Sequence, residues 1–256
     1  MGIFQKIKEK LQRVCSQRGF TCDGCGREVF DYPVHRLCED CEDSLSKNDG
    51  KRCPKCGRKT IAEGVCLTCK RKMPKFTVGF SPFVYEGKTA SFINRLKRGS
   101  AYLSFYFGEQ MAKYLANGYS AMETYKAEGG EPLLVIPVPL TKEKLLVRGF
   151  NQAEELAKVV VEELSKMGFW TEFRTDVLEK TRETAEQKQA SATERADNVE
   201  GAYHVHLRKA CQGRRILLID DIMTTGATGN ECTERLIGAG AKEVVFLTAT
   251  ALPEKK

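Results

Sequence analysis

Thirteen residues near the end of the chain concentrate side chains that suit a charged, hydroxylated ligand: Ile216-Leu217-Leu218-Ile219-Asp220-Asp221-Ile222-Met223-Thr224-Thr225-Gly226-Ala227-Thr228. The four leading apolar residues read as a buried strand. Asp220 and Asp221 follow at its C-terminal end, where desolvation is costly without a partner. The small, hydroxyl-rich turn Thr224–Thr228 then opens a helix. Backbone N–H groups, hydroxyls and a helix N-terminus converge in such a turn and suit a phosphate. Adjacent carboxylates can hold ribose hydroxyls and attract Mg²⁺. Phosphate, diol and metal together describe a phosphorylated sugar. Helix capping would account for one Asp, but not for two acids followed by this turn. The run is neither G-x-x-x-x-G-K-[ST] nor G-x-G-x-x-G.

A second chemistry sits at the other end of the chain. Nine of the 11 cysteines lie between Cys15 and Cys69, and eight of them form C-x-x-C pairs: Cys22/Cys25, Cys38/Cys41, Cys53/Cys56 and Cys66/Cys69. Two such knuckles complete a tetrahedral thiolate site for Zn²⁺, so four imply two structural zinc sites. The knuckles can pair in sequence or as a cross-brace; the short gaps within each half favour sequential ribbons. Disulfides belong to oxidising compartments, and the N-terminus lacks the unbroken apolar core of an export signal. Iron–sulfur ligation is a minor rival. His35, three residues before Cys38, reads as an ordinary loop histidine.

Charge is as lopsided as cysteine. The chain carries +7, all of it within residues 1–75, which hold 17 Lys/Arg against 10 Asp/Glu; the remainder is balanced. Two metallated thiolate centres would lower this excess to about +3. Lys51, Arg52, Lys55, Arg58, Lys59, Lys70, Arg71, Lys72 and Lys75 crowd the knuckles. They either offset the thiolates or form a phosphate-binding surface for single-stranded DNA, without aromatic platforms to read bases. Ile3, Phe4, Ile7, Leu11 and Val14 recur at helical spacing among basic residues. That is an amphipathic basic helix over 1–19, docked on its own protein or lying on a membrane surface or partner.

The elements that must position the acidic run follow from periodicity. Thr77–Tyr85 reads as a strand, Gly87–Leu96 and Tyr102–Ala116 as helices, and Leu133–Val138 as a buried strand. Phe150–Met167 reads as a helix, Arg174–Leu178 as a strand and Tyr203–Leu207 as an edge strand, with His204 and His206 as surface or packing residues. Arg215–Asp220, Thr228–Ile237 and Glu243–Ala249 complete strand, helix and strand. This alternation predicts an α/β parallel sheet with helices on both faces, and in such sheets ligands bind beyond the C-terminal ends of the strands. Lys180–Asn198, long and polar, reads as a lid. The composition shift places a boundary near residue 75, giving a basic helix (1–19), a double zinc-ribbon module (20–75) and an α/β domain (76–256). No apolar run is long enough to span a membrane, and a cytoplasmic location is expected, including the inner membrane surface if the basic helix lies there.

The acidic run resembles the signature of the type I phosphoribosyltransferases, which bind phosphoribosyl pyrophosphate (PRPP). Val138-Pro139-Leu140 with Arg148-Gly149-Phe150-Asn151-Gln152, and Lys180-Thr181-Arg182, Thr184, Gln187, Arg195, Asn198 and Gly201-Ala202-Tyr203, resemble the pyrophosphate-side and mobile loops of the ComF family. The double zinc ribbon is also a feature of that family. The resemblance implies that Asp220 and Asp221 bind the ribose hydroxyls and Mg²⁺-PRPP. It implies that Thr224, Thr225, Gly226, Ala227 and Thr228 wrap the 5′-phosphate and that Arg148 faces the pyrophosphate. It also implies a link to DNA uptake or DNA utilisation and to a helicase partner. Thr224 stands where 6-oxopurine salvage relatives carry a general-base Asp, so that activity is not expected. Three roles remain: phosphoribosyl transfer to an unidentified acceptor, non-catalytic PRPP sensing, and a nucleic-acid-binding adaptor.

Overall fold

The computed structural model of the chain describes residues 21–32, 34, 36–125, 131–182 and 201–254. The expected basic helix, His35, and residues 183–198 of the expected lid lie outside the described residues. In chain order the elements are α1 (Glu39–Asp43), α2 (Leu67–Arg71), β1 (Val78–Phe80), β2 (Phe83–Val84), α3 (Gly87–Lys97) and α4 (Leu103–Gly118). A 3₁₀ turn (Ser120–Tyr125), β3 (Leu133–Pro137), α5 (Lys142–Arg148), α6 (Gln152–Lys166), β4 (Thr171–Phe173) and β5 (Leu178–Lys180) follow. The chain ends with β6 (Tyr203–Val205), α7 (Arg208–Cys211), β7 (Arg215–Met223), α8 (Ala227–Gly238) and β8 (Glu243–Ala251).

The main sheet runs β1-β8-β7-β3-β4, with β2 also pairing β8. All of its pairings are parallel, so β7 lies in the middle, buried on both faces as its unbroken apolar run requires. Side-chain alternation divides the core in two. Leu133, Val135, Leu217, Ile219, Val245 and Leu247 face α3, α4 and α6. Leu134, Ile136, Ile216, Leu218, Val244 and Phe246 face α8 and the β5–β6 hairpin. Contact with the helix is close on that second side: a Cβ at Gly229 of α8 would lie 2.5 Å from the Phe246 ring.

The two cysteine ribbons are built alike and placed oppositely. Cys22 N–H donates to Arg27 O and Gly26 N–H to Cys22 O; Cys53 N–H donates to Arg58 O and Gly57 N–H to Cys53 O. In each ribbon the second C-x-x-C pair begins at the N-cap of a one-turn helix, Cys38 for α1 and Cys66 for α2. The first ribbon joins the core under α3 and α4, where Arg95 donates to the Gly24 and Asp23 carbonyls. The second joins the opposite core, beside Phe76 and Phe246. It is fastened at both ends of the domain. Gly79 N–H donates to Lys55 O and Glu254 N–H to Lys59 O, each at 2.9 Å; Leu67 N–H donates to Glu254 Oε1 at 2.7 Å.

Several expected elements change. The Thr77–Tyr85 strand breaks into β1 and β2 at Ser81-Pro82, where Pro82 has no N–H for the ladder and its carbonyl accepts from Asn48 N–H instead. The strand expected over Arg174–Leu178 is a bend up to residue 177, and Leu178 already opens β5: Arg174 Nε and Nη2 clasp the Asp176 carboxylate at 2.8 and 2.9 Å, turning the chain between β4 and β5. The short helix α5 was not anticipated; Thr141 caps its start by accepting from Lys144 N–H and Gly149 closes it in the left-handed conformation. β7 extends through both acids to Met223, because Ile222 and Met223 continue the pairing with β8.

Gly26 and Gly57 are equivalent in the two ribbons, with φ of 79° and 72°. A Cβ at Gly26 meets nothing within 4 Å, whereas at Gly57 it would lie 2.3 Å from the Gly79 carbonyl oxygen. Gly26→Ala should therefore lower stability by about 1 kcal/mol from backbone strain alone. Gly57→Ala adds a backbone clash and should cost about 3 kcal/mol. Denaturant unfolding of the two metal-replete variants checks this; equal losses would contradict the docking of the second ribbon on β1.

Candidate functional site

The eight knuckle cysteines gather as two sets, Cys22/Cys25/Cys38/Cys41 and Cys53/Cys56/Cys66/Cys69, with the sulfurs of each set within 4.8 Å of one another. The pairing is sequential. All ten described cysteines are free. The second set is buried throughout, while Cys25 of the first is exposed. Donors already point at sulfur: Cys38 N–H to Cys22 Sγ at 3.1 Å, Gly24 N–H to Cys22 Sγ at 3.3 Å and Cys66 N–H to Cys53 Sγ at 3.4 Å. Four convergent, hydrogen-bonded sulfurs without a disulfide fit a tetrahedral thiolate-bound metal of the zinc type.

At the C-terminal end of β7 the two acids part. Successive strand residues face opposite sides, and Asp221 turns to the side of α3, where Lys97 Nζ lies 3.0 Å from its Oδ2. Asp220 stays with α8 and β6, its Oδ1 accepting from Asp221 N–H at 2.8 Å. Both carboxylates are buried. Burial, and then the Asp221 charge, hold the Asp220 pKa well above the ordinary carboxylate range, against the pull of Lys97. Burial alone would favour the neutral amine at Lys97, but the charges of Asp221 and Asp220 outweigh it and raise its pKa. Lys97 was missed in the sequence, where the last turn of a helix followed by Gly99 reads as an ordinary C-terminal cation.

The turn after β7 is shaped by Gly226, left-handed at φ 84°, which is the N-cap of α8. Ala227 N–H donates to Thr225 Oγ1 at 3.3 Å. Thr224 through Thr228 are all partly exposed, so the turn is open to solvent above the buried acids. Underneath, Arg58 Nη2 donates to the Thr224 carbonyl at 2.9 Å and Arg58 Nε to Cys56 Sγ at 3.3 Å. Arg58 is thus removed from the expected basic surface. So in part are its neighbours: Lys55 Nζ donates to Thr77 O at 3.1 Å, Lys59 pairs with Asp49 at 3.5 Å and Arg52 lies over the Tyr114 ring. Lys51, Lys70, Arg71, Lys72 and Lys75 stay exposed.

β3 and β7 are parallel neighbours, so the connection that carries Arg148 leaves the sheet at the same edge as the acids. Asn151 fixes that connection: its Nδ2 donates to Val138 O and its Oδ1 accepts from Ala153 N–H, both at 3.0 Å. Arg148 Nη1 donates to Gln152 Oε1 at 2.9 Å. On the α8 side, β5 and β6 pair antiparallel, with Thr181 N–H donating to Ala202 O. Gly201 N–H donates to buried Glu231 of α8 at 2.8 Å, so the hairpin from which residues 183–200 depart is pinned beside the turn. His204 and His206 face outward. His206 pairs with Glu179 at 2.5 Å. Thr184, Gln187, Arg195 and Asn198 lie outside the described residues.

A parallel sheet whose middle strand carries two acids near its C-terminal end and runs through a left-handed glycine into a helix is a phosphoribosyltransferase-type domain, and the phosphoribosyl transferase domain model matches residues 145–256. Longer similarity reaches back into the cysteine ribbons. The chain is 30% identical over 212 residues to Competence protein ComFC of Streptococcus pneumoniae, covering 81% of this chain and 84% of that protein. It is 27% identical over 217 residues to Competence protein ComFC of Bacillus subtilis, covering 82% and 81%. It is 29% identical over 214 residues to DNA utilization protein YhgH of Escherichia coli O6:H1, covering 81% and 87%. The chain belongs to the ComF family. Among the described residues no helix is long and apolar enough to cross a membrane.

Two predictions follow from this geometry. Metal analysis of the purified protein should return two zinc ions per chain, one for each cysteine set, and chelation should unfold the ribbons; a metal-free, disulfide-bonded protein that resists chelator would contradict it. The two acids should also respond oppositely to neutralisation in the ligand-free protein. Asp220→Asn removes a carboxyl that must take up a proton, or carry a charge against burial, in the folded state, and should stabilise by about 1 kcal/mol. Asp221→Asn strands Lys97 and should destabilise by about 2 kcal/mol. Because the folded pKa of Asp220 is raised, the native state keeps a proton that the unfolded chain has lost. Wild-type stability should therefore fall as pH rises from the ordinary carboxylate range toward the folded value, and Asp220→Asn should flatten that slope. Denaturant titrations over pH read both effects.

Proposed function

We propose that the chain binds Mg²⁺-PRPP over the Thr224–Thr228 turn and transfers its phosphoribosyl group to an acceptor within a DNA-uptake or DNA-utilisation process. The observation that carries this reading is the delivery of two buried carboxylates by β7 directly into the solvent-open, Gly226-capped start of α8. In this reading the free N–H groups of the α8 N-terminus and the threonine hydroxyls take the 5′-phosphate. Asp220 and Asp221 take the ribose hydroxyls and the metal. Arg148 and Mg²⁺ offset charge on the departing pyrophosphate. The bond from the anomeric carbon to pyrophosphate breaks, the bond to the acceptor forms, and the acceptor's proton passes to solvent. The protein contributes position and electrostatics. Lys97, 3.0 Å from Asp221 Oδ2, holds that carboxylate in place.

The names of the relatives support the link to competence and DNA utilisation. Single-stranded DNA then meets the remaining exposed cations of the second ribbon, Lys51, Lys70, Arg71, Lys72 and Lys75, with a helicase as the protein partner. A second reading, PRPP sensing without turnover, is favoured by one residue: Thr224 cannot act as the general base that an Asp supplies there in 6-oxopurine salvage.

Calorimetry with Mg²⁺-PRPP tests the common part. Wild type should bind, and Asp220→Asn with Asp221→Asn should not, because diol and metal lose their charged acceptors. Affinity should rise with pH as Asp220 ionises. Pyrophosphate release on adding candidate acceptors separates transfer from sensing. A double variant that binds like wild type would place the site elsewhere.

A further inference from the structure

The two ribbons share the motif C-x-x-C-G-R, yet their arginines do different work. Arg27 is exposed and pairs locally with Asp40 of its own ribbon. Arg58, its counterpart, is 5% exposed and spans two parts of the molecule 166 residues apart, from Cys56 Sγ to the Thr224 carbonyl. Ribbon geometry alone does not demand this, since the first ribbon closes without it. A guanidinium is a rigid planar fork, so its Nε–H and Nη2–H fix the thiolate and the carbonyl relative to each other.

The carbonyl it holds is well chosen. Thr224 lies between the last residue of β7 and the Gly226 N-cap of α8. In a trans peptide the C=O and the following N–H point in opposite directions. Anchoring Thr224 O against the second ribbon therefore turns the Thr225 N–H away from the ribbon, toward the open side of the turn. With four thiolates and Zn²⁺ the cluster is anionic, and Arg58 is the cation set against it.

We propose that Arg58 is a positioning residue for the phosphate turn, through which the second cysteine cluster sets the geometry that receives the 5′-phosphate of PRPP. This rests on the PRPP reading above. The ribbon is then part of the ligand site's support, and metal occupancy and ligand affinity are coupled. Coupling between two sites is reciprocal, so PRPP on the turn must also be felt at the cluster sulfurs.

The test uses the full-length protein loaded with Co²⁺ in place of Zn²⁺, whose thiolate charge-transfer bands report on the sulfurs. Wild type is compared with Arg58→Met and Arg58→Lys. Lysine keeps the cation beside the cluster but cannot form the fork. Both variants should retain two metals per chain, in keeping with the two clusters. Both should bind Mg²⁺-PRPP about tenfold more weakly. PRPP should shift the cobalt bands of wild type and leave those of both variants unchanged. Wild-type affinity in either variant overturns the proposal, as does full rescue by lysine, which would reduce Arg58 to charge balance. Loss of metal from both variants also overturns it, by making Arg58 a support of the ribbon alone. A wild-type protein that fails to bind Mg²⁺-PRPP overturns the site reading itself, and this shows in the first titration before any variant is compared.

Discussion

Two adjacent carboxylates held out of water on the middle strand set the terms for the rest of the molecule. Strand geometry sends them to opposite faces, so each meets different neighbours. Each face supplies its own answer. On the α3 side Lys97 closes an ion pair with Asp221. On the α8 side the Asp221 amide donates to Asp220 Oδ1, and burial pushes the Asp220 pKa upward. The arrangement pairs one acid with a partly buried cation and leaves the other favouring its protonated form.

The ribbons have a comparable logic. They repeat one local structure, but the sheet separates them, and each completes a different half of the hydrophobic core. The first contributes Cys22, Val29, Leu37, Cys41 and Leu45 beneath α3 and α4. The second contributes its four buried cysteines beside Phe76 and Phe246. Metal binding and core formation are therefore parts of one folding equilibrium. The cations around the second ribbon are correspondingly divided. Arg58, Lys55, Arg52 and Lys59 are engaged by the protein itself, while Lys51, Lys70, Arg71, Lys72 and Lys75 face solvent.

What could be read from the sequence was local. The four C-x-x-C pairs, the run Ile216–Thr228 and the order of strands and helices all lie within short windows, and the sheet follows them. Helix α5 and the Asn151 cap of α6 escape the sequence, in which residues 138–152 read as a loop and the α6 helix starts at Phe150. Arg58 and Lys97 were out of reach for another reason. Each is a basic residue in a basic neighbourhood, and its role depends on a partner brought near only by the sheet. The break at Pro82 and the Arg174–Asp176 clasp show the same limit on a smaller scale, where one or two local hydrogen bonds override a β-rich stretch.

The fastening of the second ribbon by Glu254 also bears on how the chain is made. The contact from Ile61 N–H to Glu254 Oε2 joins residues 193 apart, and Lys75 N–H reaches Asn230 across 155. During synthesis from the N-terminus the cysteines emerge well before the strand and the Glu254 segment that hold their ribbon. Contacts of such high order pay their loop-closure entropy before they are rewarded. A nascent ribbon can capture its metal long before it has a surface to dock on. Docking is then a late event of folding, and the turn above β7 takes its final form only when these distant segments meet.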